Sequence, residues 1–444
     1  MQAPTTVLER LGRPLQRQDD PAAIIRRLDA IMERHGEPIA VRLWNGETVG
    51  PPDAGYRLVL HHPWSLRAML VPPTDLTVGE AFIFDAIDVE GSMVEAFHAW
   101  RRLAHRLAGH PIVRARVARE VLSLPRPPER NGHQRARLRG FVHSKSRDAQ
   151  AVRRHYDVGN DFYRLFLDER LVYSCAYFTD DDPADPADDP EALDRAQVRK
   201  LDLVCRKLRL HEGARLLDIG CGWGSLVLHA ATHYGARATG ITLSHEQAAL
   251  AREQVERAGL SDRVEIRVED YRDTTGTFDA VASVGMFEHV GKERFALYFS
   301  RMHALTAPGG RFLNHAITTG GRDVIRAHSP GSTFLGSYVF PDGTLGPAHV
   351  AVRHMERAGF ELVDVHQLRR HYARTLRHWL HNLTRNAEAV RATAGETIYR
   401  IWRAYMAGAA VGFDTNDLGV VQVLGVKGAS GLPLGRSWME PTIP

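Results

Sequence analysis

The densest group of residues that could do chemistry lies in the segment LLDIGCGWG, where Asp218 precedes three alternating glycines, Gly220, Gly222 and Gly224. Glycines at the end of a strand let the backbone turn tightly and approach a ligand at the start of the next helix. A dinucleotide-binding turn follows the pattern GxGxxG, but here Ser225 stands at the third position after Gly222. The acid would also repel a pyrophosphate. The segment therefore favours a cationic, amino-acid-like ligand, with NAD and a ligand-free tight turn as alternatives.

The order D-x-G-x-G-x-G resembles motif I of class I methyltransferases, which use S-adenosylmethionine. Ligands of open α/β sheets bind at the C-terminal ends of the strands, so the later segments ITLSHEQ and VEDYRD are expected to complete the site. On this resemblance Thr242, Leu243 and Gln247 would contact the ribose, and Asp270 and Tyr271 the adenine. Most class I methyltransferases carry an acid at the end of the second strand, whereas this chain has Thr-Leu-Ser, which indicates a particular subfamily.

A second candidate is Glu288, which lies beside His289 in SVGMFEHVG at the end of an apolar run. A carboxylate at a strand end can act as a general base, or it can hold another group that does so. His289 is interpreted as a structural neighbour of this carboxylate.

These residues need a parallel sheet to bring them together. Residues 196–318 alternate strand-like segments such as ARLLDIG and RATGITL with helix-like segments such as SHEQAALAREQVERAG. Alternation at these lengths predicts βαβ units with helices on both faces of the sheet. Near the C-terminus, FELVDVHQL and VVQVLGVK predict a final, partly antiparallel pair. The predicted fold class is α/β, with a Rossmann-like C-terminal domain of the class I methyltransferase type.

Residues 1–125 are predicted to form a smaller α+β domain. The segments PIAVRLWNGETV, YRLVLHHP and EAFIFDAIDVEG are strand-like, and SMVEAFHAWRRLAHRLAG is typical of an amphipathic helix. This part contains no ligand cluster or nucleophile motif, which indicates a scaffold or binding domain. A basic linker rich in Pro and Gly is predicted for residues 126–148, and the catalytic domain for residues 149–444.

The composition is that of a soluble globular protein, with 44% hydrophobic and 25% charged residues among 444. No apolar run approaches the roughly 18 residues that span a bilayer, and the N-terminus lacks the apolar core of a signal peptide. We therefore expect a cytoplasmic protein whose membrane contacts are peripheral. The three cysteines, Cys175, Cys205 and Cys221, show no CxxC spacing, so no metal is expected.

The positive charge is concentrated between Arg114 and Arg154, where twelve Arg or Lys residues face three acids. Such a stretch is either a solvated linker or a surface for a polyanion, and membrane surfaces attract such segments by roughly 1 kcal/mol per cation. Nucleic acid would need more interleaved aromatic residues, and only Phe141 lies in the stretch, with Tyr156 just after it. The charge pattern favours anionic lipid over nucleic acid as a partner.

Eight collinear motifs resemble the cyclopropane-fatty-acyl-phospholipid synthase family over about residues 150–444. They are HYDVGNDFYRLFLDERLVYSCAYF, DIGCGWG, ITLSHEQ, DYRD, GMFEHVG, NHAIT, YVFPDG and HYARTLRHW. The N-terminal unit also resembles the extra domain of the phospholipid-acting members, and the gap between His315 and Tyr338 is shorter than in the mycolic-acid enzymes. The resemblance implies methylene transfer from S-adenosylmethionine to unsaturated phospholipids at the inner face of the membrane, by a homodimer.

The resemblance also implies roles for residues that spacing alone does not assign. Tyr156, Tyr173 and Ser174 would close over the methionine part of the cofactor. The family is thought to use a bound bicarbonate ion as the base that deprotonates a carbocation. The residues that match its ligands are Cys175 and Ile317 through their backbones, and Glu288, His315 and Tyr372.

Each of these roles has a structural alternative. Cys175 could be a small buried hydrophobic residue, His315 a core histidine and Tyr372 a packing aromatic. Two other functions also remain open. A family member with a different fate of the cation would give a methylene- or methyl-branched chain, and a non-catalytic lipid-binding protein could use the same scaffold.

Overall fold

The computed structural model describes residues 20–34, 36, 38–128, 135–156, 158–321, 324–328, 332–428 and 431–442, without the side chains of residues 154 and 156. The chain divides into two compact units, Met1–Asn131 and Gly132–Pro444. The predicted linker at 126–148 stays a prediction, and a helix begins inside it at Lys145. None of the helices in the described ranges combines the length and apolarity that a membrane-spanning segment needs.

The first unit is an α+β structure. Its elements are α1 (Pro21–Arg34), β1 (Val41–Arg42), β2 (Thr48–Val49), β3 (Tyr56–Leu60), α2 (Ser65–Leu70), α3 (Asp75–Ile83), β4 (Ile87–Gly91), α4 (Met93–Gly109) and α5 (Pro111–Ser123). The strands form one sheet in the order β2-β1-β3-β4, in which β1 and β3 are parallel and the other pairs antiparallel. Apolar residues of α1, including Ile24, Ile25 and Leu28, are buried in its core.

One strand prediction in this unit was wrong in part. Residues 80–83 of the segment EAFIFDAIDVEG end helix α3, and only its second half forms β4. The helix starts at a capping box in which the Thr74 side chain accepts from the Thr77 amide. A short apolar run is compatible with a strand or with a buried helix end, so periodicity alone cannot separate the two.

The second unit is built around a seven-stranded sheet. Its helices are α6 (Lys145–Tyr156), α7 (Asn160–Arg164), α8 (Ala192–Lys207), α9 (Ser225–Tyr234), α10 (His245–Arg257), α11 (Phe295–Leu305), α12 (Phe334–Tyr338), α13 (Ala348–Arg357), α14 (Arg369–Arg385), α15 (Ala387–Ala394) and α16 (Glu396–Asp414). Its strands are β5 (Arg215–Ile219), β6 (Arg237–Thr242), β7 (Val264–Val268), β8 (Phe278–Val284), β9 (Thr306–Thr319), β10 (Arg326–His328), β11 (Gly343–Leu345), β12 (Phe360–Gln367) and β13 (Leu418–Lys427).

The strand order is β12-β13-β9-β8-β5-β6-β7, and β10 pairs with β11 in a separate ribbon. Strands β5 to β9 are parallel, whereas β13 runs antiparallel to both of its neighbours. This topology confirms the predicted Rossmann-like α/β fold and the final antiparallel pair. Because β5 is covered on both faces, four of its five residues are buried.

Three helices, α14 to α16, are inserted between β12 and β13. Their buried faces carry several large aromatic residues, Tyr372, Trp379, Trp402 and Tyr405. Tyr173, on the loop before α8, packs against Trp379 and Trp402 with ring centroids 5.1 and 5.8 Å apart. The insertion therefore supplies an aromatic wall to the loop that carries Tyr173 and Ser174.

Candidate active site

One cavity lies at the C-terminal ends of β5, β6 and β8. Ten of the eleven residues predicted to bind the cofactor line it: Tyr173, Ser174, Asp218, Gly220, Gly222, Thr242, Leu243, Gln247, Asp270 and Tyr271. The eleventh, Tyr156, ends helix α6 and its side chain lies outside the described part of the chain. The parallel strands bring these separated segments to one edge of the sheet.

The glycine turn has the backbone that its residues predict. Gly220 and Gly222 have positive φ angles of 82° and 56°, which side chains rarely adopt. The amides of Gly220 and Cys221 both donate to the carbonyl of Ile241, at 2.9 and 3.0 Å, and so fasten the turn to β6. A Cβ added at Gly222 would meet no protein atom within 4 Å. Since Gly222 lines the cavity, a side chain there would take up ligand space.

The end of β6 presents an ordered set of polar groups. The Thr242 hydroxyl donates to Gln247 Oε1 at 2.9 Å and accepts from the Ser244 amide at 3.2 Å. The Ser244 hydroxyl caps α10 by accepting from the Gln247 amide. All three side chains are buried. Thr242, Ser244 and Gln247 thus offer hydroxyl and amide groups where most of the superfamily offers a carboxylate.

Three charged residues that line the cavity form ion pairs with one another. Arg272 donates to Asp270 at 2.6 and 2.8 Å and to Asp148 of α6 at 3.0 Å. Burial raises the pKa of Asp270, but the hydrogen bonds from Arg272 outweigh it and hold that pKa below its ordinary value. Asp270 therefore stays ionised, and the guanidinium ties α6 to the edge of the cavity.

Lys200 lines the cavity and was missed by the sequence interpretation. It is 2% exposed, and its Nζ donates to Ser174 Oγ at 3.1 Å. Burial lowers the pKa of Lys200 to about 8, and burial raises the pKa of the neighbouring Asp218 to about 7. The amphipathic pattern of α8 places residue 200 on the buried face of the helix. Because a buried charge is costly unless it has a partner, a lysine at this position could have indicated a functional role.

Glu288 lies in a 3-10 turn, Phe287–His289, directly after β8. Its Oε1 accepts from the Ile317 amide of β9 at 2.6 Å, and its Oε2 has no hydrogen-bond partner among the described residues. Burial raises the pKa of Glu288 from 4.5 to about 7. The next two residues, His289 and Val290, line the cavity. The carboxylate is thus fixed at one oxygen and has its other oxygen available, next to residues that line the cavity.

His315 lies on β9, two residues before Ile317. Its Nδ1 lies 3.2 Å from Gln422 Nε2 of β13, and burial lowers the pKa of His315 to about 3, so the ring is neutral. An amide NH₂ can only donate, so Nδ1 accepts and Nε2 carries the proton. Nε2 is buried and has no acceptor within the described ranges. The ring therefore offers one unused donor.

Cys175 and Tyr372 have contacts of a different kind. The Cys175 thiol is fully buried near the carbonyl of Leu368, and burial raises its pKa above the ordinary value, so it is not a thiolate nucleophile. Tyr372 packs against Phe413 with ring centroids 4.7 Å apart. Of the five residues matched to the anion site, the structure joins Glu288 and Ile317 by a direct hydrogen bond.

The sheet topology, the glycine turn and the cavity define a class I methyltransferase that uses S-adenosylmethionine. The chain belongs to the family described as "Mycolic acid cyclopropane synthetase", whose profile matches residues 143–423. The matched family and the relatives reported next are named as enzymes, so the alternative of a non-catalytic lipid-binding protein is set aside.

Curated relatives and a solved structure agree with this class. A "Probable fatty acid methyltransferase" of Pseudomonas putida is 39% identical over 88% of this chain and 92% of its own length. The "Cyclopropane-fatty-acyl-phospholipid synthase" of Escherichia coli K12 is 34% identical over 66% of this chain and 72% of its own. The crystal structure of mycolic acid cyclopropane synthase CmaA1 with SAH and CTAB is 32% identical, with a TM-score of 0.57 over 63% of this chain and 98% of that one.

Proposed function

We propose that this methyltransferase transfers a methylene group to the cis double bond of unsaturated phospholipid acyl chains and closes a cyclopropane ring. The observation that carries the proposal is Glu288, a buried carboxylate with one oxygen held by Ile317 and the other without a partner among the described residues. Such a group can hold and orient a base beside the cofactor cavity. The name of the Escherichia coli relative supports the phospholipid substrate.

The reaction sets two demands on the residues of the chain. An isolated alkene needs a strong electrophile, and the sulfonium methyl group of S-adenosylmethionine supplies that chemistry when it is bound. Ring closure then needs loss of a proton from the added carbon while water is kept away from a positively charged chain. The wall of Tyr173, Trp379 and Trp402 would exclude water, and its ring faces would stabilise the charge.

Two buried polar atoms without partners among the described residues, Glu288 Oε2 and His315 Nε2, have the acceptor and donor character that a bicarbonate ion would need. The ion would supply a small base when it is bound. Glu288 Oε2 can accept from its hydroxyl group, and the Nε2–H of neutral His315 can donate to one of its oxygens. The Ile317 amide already donates to Glu288, so it would act by fixing that carboxylate. Cys175 and Tyr372 are proposed to complete this site through their backbone and hydroxyl groups.

The same residues could lead to a branched chain. If the positive charge migrates before the proton is lost, the product carries a methylene or methyl branch. The relative from Pseudomonas putida, named a probable fatty acid methyltransferase, supports this second candidate because it matches 88% of the chain.

We propose that the enzyme works in the cytoplasm as a homodimer, bound peripherally to the inner face of the membrane. The N-terminal unit, residues 1–125 in the predicted division, would help to recruit lipid. The basic stretch from Arg114 to Arg154 supports attraction to anionic phospholipids.

Analysis of lipids from a host that makes no cyclopropane fatty acids tests the proposed reaction. We expect expression of the chain to add one CH₂ unit to unsaturated phospholipid acyl chains. Ozonolysis would leave a cyclopropane intact, would cleave a methylene product, and thereby separates the two candidates. Unaltered lipids in a host that contains folded protein would contradict both.

Lys200 is proposed to bind the carboxylate of the cofactor's amino-acid end, with Asp218 facing the ammonium group. Both line the cavity, and a zwitterion matches the opposite charges of the two side chains. A charge-assisted hydrogen bond contributes about 1.5–3 kcal/mol, so Lys200→Met should weaken S-adenosylhomocysteine binding by about tenfold or more in calorimetry.

Methylthioadenosine, which lacks the amino-acid end, provides the control ligand. It should bind wild type and Lys200→Met equally. Equal weakening for both ligands would mean that Lys200 supports the Ser174 loop and does not contact the cofactor.

A further inference from the structure

The turn Gly140–Ser144 displays two apolar side chains to solvent. Phe141 is 89% exposed and Val142 is 55% exposed. Isolated exposed apolar residues are common, but here an aromatic and a β-branched residue are adjacent at the tip of a turn. The Ser144 amide donates to the Phe141 carbonyl at 3.0 Å, which closes the turn.

The backbone of this turn is held in place by its neighbours. Gln150 of α6 accepts from the Arg139 amide and donates to the Arg139 carbonyl, both at 3.2 Å. Arg147 donates to the Gly140 carbonyl at 2.9 Å and to Asp342 at 2.6 Å. The apolar tip is therefore presented by an ordered support, and its two side chains take no part in that support.

The segment that carries the tip is basic, and acids of other segments pair with part of its charge. Residues 135–147 contain five cations, Arg135, Arg137, Arg139, Lys145 and Arg147, and no acid. Arg137 and Arg139 are exposed beside the tip. Arg147 is largely neutralised by Asp342, and Lys145 pairs with Asp273 at the surface. An apolar tip flanked by exposed arginines matches the interface of an anionic bilayer, where acyl chains lie just below phosphate groups.

The turn is also connected to the cofactor cavity. His143, its buried fourth residue, lies 3.5 Å from Asp148, and its carbonyl accepts from Arg272 at 3.3 Å. A Cβ on Gly291 would lie 2.2 Å from the His143 ring, so the turn packs closely against the end of the GMFEHVG segment. A membrane contact at the tip would thus lie next to the residues that hold the cofactor and Glu288.

We propose that Phe141 and Val142 insert into the surface of an anionic phospholipid membrane, while Arg137 and Arg139 bind its phosphate groups. This inference rests on the proposed action on membrane phospholipid, and it assigns the contact to this turn of the second unit. The turn would place the catalytic unit directly on its substrate surface. The alternative is that a second copy of the chain covers this turn, and the experiments below distinguish self-association from membrane binding.

Co-sedimentation with vesicles containing equal parts of phosphatidylcholine and phosphatidylglycerol tests the proposal on the full chain. The double variant F141S/V142S should bind at least about tenfold more weakly, as expected for loss of a buried aromatic side chain. The variant Leu434→Ser is the matched control, since Leu434 is a fully exposed apolar residue of the same unit. It should bind like wild type, and raised salt should weaken binding of both. Unchanged binding by F141S/V142S would overturn the proposal.

A dye on residue 141 gives a second readout. The cysteines of the chain are buried, so Phe141→Cys can be labelled selectively with an environment-sensitive thiol dye. Emission should shift to the blue when vesicles are added, and dye at Leu434→Cys should not respond. The membrane proposal would be overturned if the emission shifted on raising the protein concentration without lipid and if F141S/V142S lost the dimer in analytical ultracentrifugation. These two results together would assign the surface to self-association.

Turnover separates this inference from the proposed function. F141S/V142S should lower the ratio of turnover on vesicles to turnover on detergent-dispersed phospholipid by about tenfold. Equal losses on both substrates would place the turn in the active site and contradict membrane insertion. If wild type modifies neither substrate, the proposed function fails, while the vesicle-binding and dye results still decide the inference.

Discussion

Replacing Glu288 by Gln is expected to lower turnover by about 100-fold or more while leaving S-adenosylmethionine binding within about twofold of wild type. The Gln carbonyl can still accept from the Ile317 amide, so the 3-10 turn after β8 keeps its contact with β9. The other terminal group becomes an NH₂ donor where Glu288 Oε2 offers an acceptor. The hydroxyl group of the proposed bicarbonate ion would then have no acceptor at this position, so the ion would lose its orientation. The proton of the added methyl group would no longer be removed efficiently.

The measurement is a comparison of kcat for lipid modification with the Kd for S-adenosylhomocysteine. Glu293→Gln is the matched control, since Glu293 lies on the same loop and its side chain is 68% exposed. It should retain full turnover. A Glu288→Gln protein that no longer binds the cofactor would assign Glu288 to the cofactor site and remove its proposed role beside the base.

The pH profile gives an independent check of this role. Burial raises the pKa of Glu288 from 4.5 to about 7, so the acceptor form is lost as pH falls through about 7. At constant bicarbonate concentration, wild-type turnover should rise between pH 6 and 8 (about one unit on either side of that pKa), and Glu288→Gln should lack the part of this rise that Glu288 causes. A folded-state pKa above the unfolded value also means that ionising Glu288 destabilises the fold as pH rises. The melting temperature of Glu288→Gln should therefore be higher than that of wild type at high pH.

The second large effect is expected at Asp364, which lies on β12 against Lys207 of α8. The two side chains are 1% and 2% exposed, and Lys207 Nζ lies 2.7 Å from Asp364 Oδ2. Asp364 also accepts from Arg436. Burial raises the pKa of Asp364, but its partners outweigh this and hold it below its ordinary value. Asp364→Asn would leave a buried ammonium group without a counter-charge, which costs about 3–5 kcal/mol of unfolding free energy.

Urea unfolding, monitored by a signal from the second unit, measures the loss of unfolding free energy in Asp364→Asn. The double variant D364N/K207M should recover part of it, because the buried cation is removed together with its partner. Asp279→Asn serves as the surface control, since Asp279 pairs with Arg215 at 3.0 Å and both side chains are more than two-fifths exposed. It should destabilise far less. Equal losses at the two sites would show that burial does not set the strength of the Lys207–Asp364 pair.

The cavity at the C-terminal ends of β5, β6 and β8 could be predicted largely from local sequence. Most of the predicted residues lie at the end of a strand or close after it, as Asp218, Thr242 and Asp270 do, whereas Tyr173 and Ser174 lie on the loop before α8. Parallel strands connected by helices bring such ends to one edge without further information. The alternation of apolar strands and amphipathic helices predicted that arrangement correctly. The error at residues 80–83 arose where a short apolar run had no periodicity to separate helix from strand.

Contacts between distant segments could not be predicted in this way. The hydrogen bond from Ile317 to Glu288 joins residues that are 29 positions apart and depends on the pairing of β8 with β9. The pair between Arg272 and Asp148 spans 124 positions. Lys200 reaches the cavity only because α8 packs its buried face beside the turn that holds Ser174. These contacts follow from register and helix packing, which no local pattern encodes.

The sequence by itself determined the class of the protein, most of its strands and the glycine turn at the cavity, because periodicity and turn chemistry act over a few residues. The tertiary structure decided which atoms are left without partners, and therefore which groups can act. Glu288 shows the difference most directly. Its position at a strand end was visible in the sequence, but the engagement of one oxygen and the availability of the other depend on where β9 lies.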